Sequence, residues 1–539
     1  MATKYVRADG DATWANANGP ETNASNCCSM ATAVSNAGAD DLVYISGLGG
    51  VFRSDPNFSA SGSSGSPITW SGTSNVPIFR ASVLATGFSV DSGSRYIKTG
   101  VTTEPEQLWI DGDFGSRQTS SGACTSTGDW YWASDSLYLY DGDGDPDDRS
   151  DPGIEIGARN NAISIGANYL TFIDIIAEHG NRYGWSNWNT SNNIWTGCTG
   201  RWNWYDGIAA NANTTYSGHV VQDGYYHHNG ACGITFLNSG GGSTGHIVRR
   251  NTCYENGRFH GDWESAHDWT GGIKFFSCGD GQLIEKNIIY SCGPSYGDAE
   301  DGQNGKGNGI WLDYTSGTSG TRNVVQFNRI YDCHANGVFI EGDASYNVVL
   351  SNVIYDCAFG ANWGIWSSAG VRIDSREDES ANYNYIFNNT IVGGRFGFLM
   401  GTYSQSGGCS VSYNEIKNNI IVGQEQAAIW AGDGGDNDGT YGTGNVYNSN
   451  CFGAESTAFI SWGVAEYSTY DAWISASSQT DNNVESDPSF TNAASDDYTL
   501  ASDSPCIGAG ADLGASYDDA LLPASTWPDG VVTADQDDY

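Results

Sequence analysis

Three acidic residues end three short segments that share one pattern, a glycine followed by alternating apolar residues. The segments read Gly309-Ile-Trp-Leu-Asp313, Gly337-Val-Phe-Ile-Glu341 and Gly370-Val-Arg-Ile-Asp374. The first and third residues after each glycine are apolar, so in a strand the second and fourth residues lie on the other face. We therefore expect the three acids to form one column that faces solvent. Because stacked carboxylates repel one another, a purely structural role does not explain why no neutral residue interrupts the three.

Paired carboxylates can hydrolyse a glycosidic bond. If their strands are neighbours, Asp313 and Glu341 lie about 5 Å apart, close to the roughly 5–5.5 Å that separates the carboxyl groups of retaining glycosidases. One carboxylate then attacks the anomeric carbon, while the other, kept protonated by its neighbour's charge, protonates the leaving oxygen. Asp313 with Asp374, two strands apart, would suit an inverting enzyme. The alternative is that Asp313, Glu341 and Asp374 only make a coil surface soluble or bind calcium.

Four residues on the same predicted face have side chains suited to binding a sugar. Trp311 and Phe339 could stack on sugar rings, and Lys274 and Arg372 could hold a carboxylate or sulfate of the substrate. The same basic residues allow a second chemistry. In a polysaccharide lyase, Lys274 or Arg372 would abstract the C5 proton of a uronic acid while calcium neutralises its carboxylate.

Two histidines lie in the segment that leads into the Lys274 strand. His260 and His267 are seven residues apart, which does not favour a shared metal ion. We expect them to form hydrogen bonds with the substrate, and the alternative is an ordinary surface position.

A third candidate site is the run Asp141-Gly-Asp143-Gly-Asp145. Alternating acids and glycines are typical of the start of a calcium loop, but the bidentate glutamate at position twelve is missing. We predict Asp141, Asp143 and Asp145 as metal ligands, with a solvated hairpin tip as the alternative. The hydrolase hypothesis itself requires no cofactor, and Ca²⁺ is the one ion that the sequence suggests.

These segments must be positioned by a repeat, and one repeat recurs through the middle of the chain. Its members begin at Asn251, Asn287, Asn328, Asn352, Asn389 and Asn419, at intervals of 36, 41, 24, 37 and 30 residues. Such intervals do not fit the regular units of about 40–50 residues in a β-propeller. They predict a right-handed parallel β-helix whose coils carry loops of different length, with the asparagines stacked in a ladder and Cys292, Cys333 and Cys357 in a buried column.

The ends of the chain are predicted to close this solenoid. Residues 29–37 have the pattern of a short capping helix, and residues 40–45 that of a strand. We divide the chain into an N-terminal cap with the first coils and an inserted hairpin (1–155), the β-helix core with the site (156–460), and C-terminal coils, cap and tail (461–539).

The sequence resembles the right-handed parallel β-helix proteins of the pectate-lyase-like superfamily. The resemblance rests on the helix followed by Asp-x-Val-Tyr-Ile, the Asn-x-Ile-Tyr coils, and the ending Asp487-Pro-Ser-Phe, Asp497-Tyr-Thr-Leu and Ser504-Pro-Cys-Ile-Gly. Within it, residues 309–341 resemble the catalytic stretch of β-helix glycosidases of the β-xylosidase type. That resemblance implies Asp313 as nucleophile, Glu341 as acid/base and a polysaccharide or oligosaccharide as partner.

Composition excludes some partners. The formal net charge of −40 is unsuited to nucleic acid, whose phosphates require lysine and arginine. The sequence contains no run of 18 apolar residues, so we do not expect a segment that inserts into a membrane. A secretion signal is not visible, so we expect an extracellular protein whose signal was removed or one on a virion surface. The third functional hypothesis is therefore a phage tail spike or glycan-binding structural protein, and the sequence allows a monomer or a homotrimer.

Overall fold

The computed structural model describes residues 2–150, 152–257, 270–293, 307–357, 368–376, 379–402, 409–432, 442–455, 459–463, 465–477, 479, 482–514 and 517. The chain forms two compact units. Unit 1 comprises residues 1–212, 219–236 and 254–268, and unit 2 comprises residues 213–218, 237–253 and 269–539. Both are built from coils of a right-handed parallel β-helix, as the sequence predicts.

Unit 1 begins with the predicted cap. Helix Met30–Asn36 follows Ser29, whose hydroxyl accepts a hydrogen bond from the Thr32 amide at 3.2 Å, and it buries Met30 and Ala33. The parallel strands of the unit form three sheets. The first contains Thr3–Arg7, Leu42–Ser46, Ile68–Gly72, Leu170–Ile173, Ile194–Thr196 and Val220–Gln222; the second Asn57–Phe58, Asn161–Ile165, Tyr183–Trp188 and Ile208–Ala212; the third Ile78–Arg80, Ile176–Glu178, Thr199–Arg201 and Tyr225–His227.

A mainly antiparallel insertion, with one parallel pair between Ser116–Arg117 and Asp129–Ala133, interrupts the coils of unit 1. Its strands are Ser82–Leu84, Ser89–Ser92, Arg95–Thr99, Leu108–Ile110, Asp113–Phe114, Ser116–Arg117, Asp129–Ala133, Ser136–Tyr140 and Ile154–Gly157. They enclose their own core, which includes Leu108, Trp130, Leu137 and Leu139. The insertion is therefore larger than the single hairpin that the sequence suggests.

Unit 2 repeats the three-sheet arrangement. One sheet contains Ile247–Arg249, Leu283–Glu285, Asn323–Gln326, Asn347–Leu350, Tyr385–Phe387, Glu415–Lys417 and Val446–Asn448; a second contains Ile288–Tyr290, Arg329–Tyr331, Val353–Tyr355, Thr390–Val392 and Ile420–Val422. The third, which we call the site sheet, contains Gly271–Phe276, Asn308–Asp313, Val338–Glu341, Val371–Ser375, Phe396–Thr402, Ala427–Ala431, Ile460–Trp462 and the antiparallel Ala465–Tyr467. Strands Cys232–Asn238 and Thr252–Tyr254 contain residues of both units.

The C-terminal end of unit 2 contains a helix and a hairpin. Helix Tyr470–Ser477 buries Tyr470 and Trp473. The hairpin pairs Phe490–Asn492 with Asp497–Leu500. No helix in the described ranges is long and apolar enough to cross a membrane.

The predicted asparagine ladder is confirmed. Each Nδ2 donates to the Oδ1 of the next member at 2.9–3.1 Å from Asn251 to Asn419, and the ladder continues to Asn450. A parallel ladder that the sequence analysis missed runs through Asn323, Asn347 and Asn384. These buried amides satisfy backbone groups at the corners of the coils, which otherwise would be left without partners.

The cysteines are buried in the same coils. Cys333 lies in contact with both Cys292 and Cys357, as the predicted column requires. All 13 cysteines are free thiols, and every one except Cys409 is buried. They serve the core as small apolar side chains.

The glycines that lead the strands of the site sheet are not turn residues. Gly309, Gly337 and Gly370 have no positive φ, and a Cβ on any of them would overlap an isoleucine Cγ2 of the second sheet. Glycine is required here because two sheets approach each other closely. The left-handed residues come after the strands instead, for example Tyr314 at φ 51° and Gly342 at φ 77°.

Candidate active site

Parallel pairing in the site sheet places the three predicted acids side by side. Asp313 lies opposite Glu341, and Glu341 lies opposite Asp374. Neighbouring Cα atoms of such a column are about 4.8 Å apart. The alternation of apolar residues therefore identifies the correct register, since a shift by one residue would turn every acid into the core.

The expectation that this column faces solvent is wrong. The residue exposures are 4% for Asp313 and 1% for both Glu341 and Asp374. The acids point away from the β-helix core but are nevertheless buried. Such burial favours the neutral form of each carboxyl group.

Each acid has its own basic partner. Lys274 Nζ lies 2.8 Å from Asp313 Oδ2. Arg376 pairs with Glu341 Oε1, and Arg372 pairs with Asp374 Oδ2. The repulsion expected from stacked carboxylates is therefore offset by three cations.

Arg376 is a site residue that the sequence analysis missed. It lies two residues beyond Asp374, so Arg372, Asp374 and Arg376 follow the same alternation. The strand itself ends at Ser375. The alternation that includes Arg376 is visible in the sequence, but it extends past the glycine-led segment.

Different neighbouring charges act on the pKa values of Asp313 and Glu341. Burial, and then the charge of Asp313, raise the pKa of Glu341 to about 7, while Arg376 opposes the rise. Burial also raises the pKa of Asp313, but Lys274 opposes this through its charge and its hydrogen bond. Glu341 is thus the member of the pair suited to hold a proton near neutral pH.

The third acid, Asp374, is buried as fully as Glu341. Burial raises the pKa of Asp374, and the Arg372 guanidinium opposes the rise. Among the described residues, Asp374 Oδ1 and Glu341 Oε2 are buried without a hydrogen-bond partner. Both oxygens retain hydrogen-bonding capacity that no described residue uses.

The residues predicted to bind sugar form a second column, two positions before the acids. Lys274 Nζ lies 3.3 Å from the centre of the Trp311 ring, Trp311 stacks on Phe339 at 5.6 Å, and Arg372 Cζ lies 4.7 Å from the centre of the Phe339 ring. A neighbour in the column therefore covers each face of both rings. Stacking of sugar rings on Trp311 and Phe339 stays a prediction, and among the described residues the two rings lie against other members of the column.

Both basic residues of this column are buried as well. Lys274 is 3% and Arg372 is 6% exposed. Their roles in the structure are to hold Asp313 and Asp374. His260 and His267 lie outside the described residues, so their substrate-binding role stays a prediction.

At the candidate calcium loop, an arginine of the chain contacts two of the predicted ligands. Arg149 donates to both carboxylate oxygens of Asp141 at 2.6 Å and to Asp143 at 3.1 Å. Asp145 accepts a hydrogen bond from the Asp147 amide at 3.0 Å. Across the described residues, no group of three or more His, Cys, Asp or Glu side chains is arranged to hold a metal ion. Calcium binding at Asp141, Asp143 and Asp145 stays a prediction.

Tyr314 directly follows Asp313 and packs beside the residue that follows Glu341. Its ring lies over Gly342, where an added Cβ would come within 2.8 Å of it. The Tyr314 hydroxyl interacts with Glu379, and burial raises the pKa of this tyrosine to about 12. Gly342 thus makes room for the ring directly after Glu341.

Comparison with known proteins supports the fold. No protein-family model and no curated protein matches the sequence. Among solved structures, XylC in complex with xylose is similar over 86% of both chains, with 13% identity and a TM-score of 0.53. A glycoside hydrolase is similar over 84% of this chain and 96% of its own, with 10% identity and a TM-score of 0.46, and pectate lyase Pel9A over 95% and 92%, with 10% identity and a TM-score of 0.38. At this level of identity the likeness to XylC concerns the fold, and the chain is a parallel β-helix protein.

Proposed function

We propose that this protein is a glycoside hydrolase that cleaves a polysaccharide or oligosaccharide with Asp313 and Glu341. The observation that carries the proposal is the direct pairing of Asp313 with a Glu341 whose pKa is raised to about 7. Glycosidases need one carboxylate that is charged and one carboxyl group that keeps its proton. The similarity to XylC, solved with xylose, is consistent with a saccharide ligand.

The two residues divide the reaction between them. Glu341 gives its proton to the glycosidic oxygen as the bond from that oxygen to the anomeric carbon breaks, and Asp313 attacks the anomeric carbon to form a covalent glycosyl ester. Glu341, now charged, takes a proton from water as the water oxygen attacks the anomeric carbon, and the bond from that carbon to the Asp313 oxygen breaks and releases Asp313 as a carboxylate. Lys274 holds Asp313 in position and favours its charged form.

The ion pairs are less suited to a calcium-dependent lyase. A lyase of the predicted type would use the acid column to bind calcium and Lys274 or Arg372 as the base. Here Asp313, Glu341 and Asp374 each pair with a cation of the chain. Cleavage by a lyase, and glycan binding without cleavage, are therefore alternative results of the same test. We extend the proposal to an extracellular location, secreted or on a virion, where polysaccharides are met.

The test uses a panel of plant, algal and bacterial polysaccharides and aryl glycosides. Wild type is compared with Asp313→Asn, Glu341→Gln and the control Glu415→Gln, whose carboxylate pairs with Lys417 on another sheet of unit 2. Reducing ends and ultraviolet absorbance are read together. The proposal expects reducing ends from wild type and the control, and their loss in both site variants.

Other results would contradict the proposal. Ultraviolet-absorbing products that disappear with a chelator would establish the lyase. Glycan binding without any products would indicate a recognition protein. The anomeric configuration of the first product, followed by NMR, separates the two carboxylate pairs, since retention supports Asp313 with Glu341 and inversion would support Asp313 with Asp374.

A further inference from the structure

The outer face of the site sheet changes in character beyond the acids. Following Arg372 in register come Leu399, Trp430 and Ser461 on the next three strands. Leu399 packs with Ala369, Phe396 and Ala427, and Trp430 lies against this group. The charged part of the face is thus continued by an aromatic and apolar part.

The Trp430 indole lies beside two glycines, and one of them, Gly401, makes room for it. Gly401 is the next member of the acid column after Asp374, and a Cβ there would lie 3.2 Å from Trp430 Cζ3. Gly432 directly follows strand Ala427–Ala431, and a Cβ there would be in ordinary contact with the indole, 3.6 Å from Trp430 Cη2. The indole therefore lies across the positions at which the acid column would continue.

A cavity of about 270 Å³ opens beside this indole. Its described lining consists of Phe396, Glu425, Gln426, Ala427, Trp430, Ile460, Ser461 and Glu466. Trp430 is half-buried, and Glu425, Gln426 and Glu466 are exposed. Glu466 lies directly opposite Ser461, the neighbour of Trp430 in register.

This combination of side chains suits a sugar unit. An indole offers an apolar face for the C–H groups of a pyranose ring, while carboxylate and amide oxygens accept hydrogen bonds from its hydroxyls. None of the described lining residues is basic, so two carboxylates would repel a uronate or a sulfated sugar. The chemistry of the cavity therefore favours a neutral sugar.

We propose that the cavity at Trp430 is a distal subsite that binds a neutral sugar unit of the same glycan chain that Asp313 and Glu341 cleave. The inference rests on the proposed function. The two sites lie on one sheet, and three strand spacings of about 4.8 Å, roughly 14 Å, separate the levels of Glu341 and Trp430. Several sugar units fit in this span, so the enzyme prefers a chain to a disaccharide or aryl glycoside.

The test measures how kcat/KM depends on chain length. Oligosaccharides of increasing length from the polysaccharide that the panel identifies are given to wild type, Trp430→Ala, Trp430→Phe and the control Tyr413→Ala. Tyr413 is a 47% exposed aromatic residue that precedes strand Glu415–Lys417 of another sheet of unit 2. We expect the ratio of kcat/KM for long over short substrates to fall about tenfold in Trp430→Ala, to recover in part in Trp430→Phe, and to stay constant in the control.

Binding separates this inference from the proposed function. Affinity electrophoresis of Asp313→Asn in a gel that contains the glycan is compared with that of the double variant Asp313→Asn, Trp430→Ala. Weaker retardation of the double variant supports the subsite even if no hydrolysis is found. An unchanged length ratio together with unchanged retardation, in a variant that melts like wild type, would overturn the subsite while leaving hydrolysis by Asp313 and Glu341 standing.

Discussion

Glu341 is under two opposing influences that together set its protonation. Burial and the charge of Asp313 favour the neutral carboxyl group, and the Arg376 guanidinium favours the carboxylate. The net result is a pKa of about 7, well above the ordinary value of a glutamate. A group with this pKa is present in both forms at neutral pH, which a residue that serves as acid and then as base requires.

This protonation leads to a prediction on pH dependence. Glu341 must be protonated to donate, and it is protonated below its pKa, so kcat/KM should fall as pH rises through about 7. Glu341→Gln should lower kcat/KM by about 100-fold or more and remove this alkaline limb. Profiles recorded from pH 4 to pH 9 check both points. An alkaline limb that persists in Glu341→Gln would assign the acid to another residue.

Lys274 acts on the reaction through Asp313 and is a positioning residue. In Lys274→Met the cation that lowers the pKa of Asp313 is lost, so that pKa should rise further. Because Asp313 must be charged to attack, the acidic limb of kcat/KM should move to higher pH. The profile of Lys417→Met, which removes a lysine paired with Glu415 away from the site, should keep its limbs. If Lys274→Met lowers activity without moving the acidic limb, its role is structural.

At the scale of the element, the coil corners depend on side chains that a strand pattern does not reveal. Asn352 illustrates this, since its amide donates to Asn389 Oδ1, Val325 O and Leu350 O, and its Oδ1 accepts from Asn328. The residue connects three coils through buried groups. Its loss leaves several of these groups without partners in a place that water does not reach.

We predict that Asn352→Ala lowers the free energy of unfolding by at least about 3 kcal/mol, because each orphaned buried group costs about 1–3 kcal/mol. Chemical unfolding followed by circular dichroism measures the change. Asn492→Ala is the control, since its amide contacts only the exposed Ser495 hydroxyl among described residues, and it should stay within about 0.5 kcal/mol of wild type. A loss of stability below about 1 kcal/mol in Asn352→Ala would mean that water molecules bind the groups that the Asn352 side chain contacts in wild type.

The close approach of two sheets gives a prediction for the glycines. In Gly337→Ala the new Cβ would lie 2.6 Å from Gly370 O and overlap the Ile354 side chain, so stability should fall by about 1–3 kcal/mol. Gly320→Ala, whose Cβ meets no atom within 4 Å, should be neutral or slightly stabilising. Thermal melts of the two variants compare them directly. Equal melting temperatures would contradict the close approach of the sheets.

The repeated parts of this molecule could be predicted from the sequence, and the unrepeated parts could not. Asn251 to Asn419 and the acids from Asp313 to Asp374 recur at equivalent positions, so stacking fixes their neighbours. Arg376 continues the alternation of Arg372 and Asp374 past the end of the strand at Ser375, so its side of the sheet could be predicted, but its ion pair with Glu341 could not. The Trp430 strand was overlooked because Ala428 stands where the other segments have glycine. Burial of the acids could not be predicted either, because alternation identifies the face of the sheet on which a residue lies and not its exposure.

At the scale of the whole molecule, the acidic residues and the cysteines are distributed differently between surface and interior. The chain carries a formal charge of −40, yet Asp313, Glu341 and Asp374 are buried beside cations. The excess of acid therefore belongs to the remainder of the chain and favours solubility. The 13 cysteines show the opposite distribution, because 12 of them are buried.

Thiol accessibility therefore tests the arrangement of the whole chain. With Ellman's reagent, the unfolded protein should yield 13 thiols without prior reduction, because every cysteine is free. In the native protein Cys409 should react first, since it is the one cysteine that is not buried, and Cys409→Ser should remove this fast phase. Burial raises the pKa of Cys198 and Cys278 to about 12, which slows their reaction further because the thiolate is the reactive form.

The melting temperature should be the same with and without a reducing agent. Fewer than 13 thiols in the unfolded protein, or a lower melting temperature under reduction, would show that disulfides rather than packed thiols stabilise the coils.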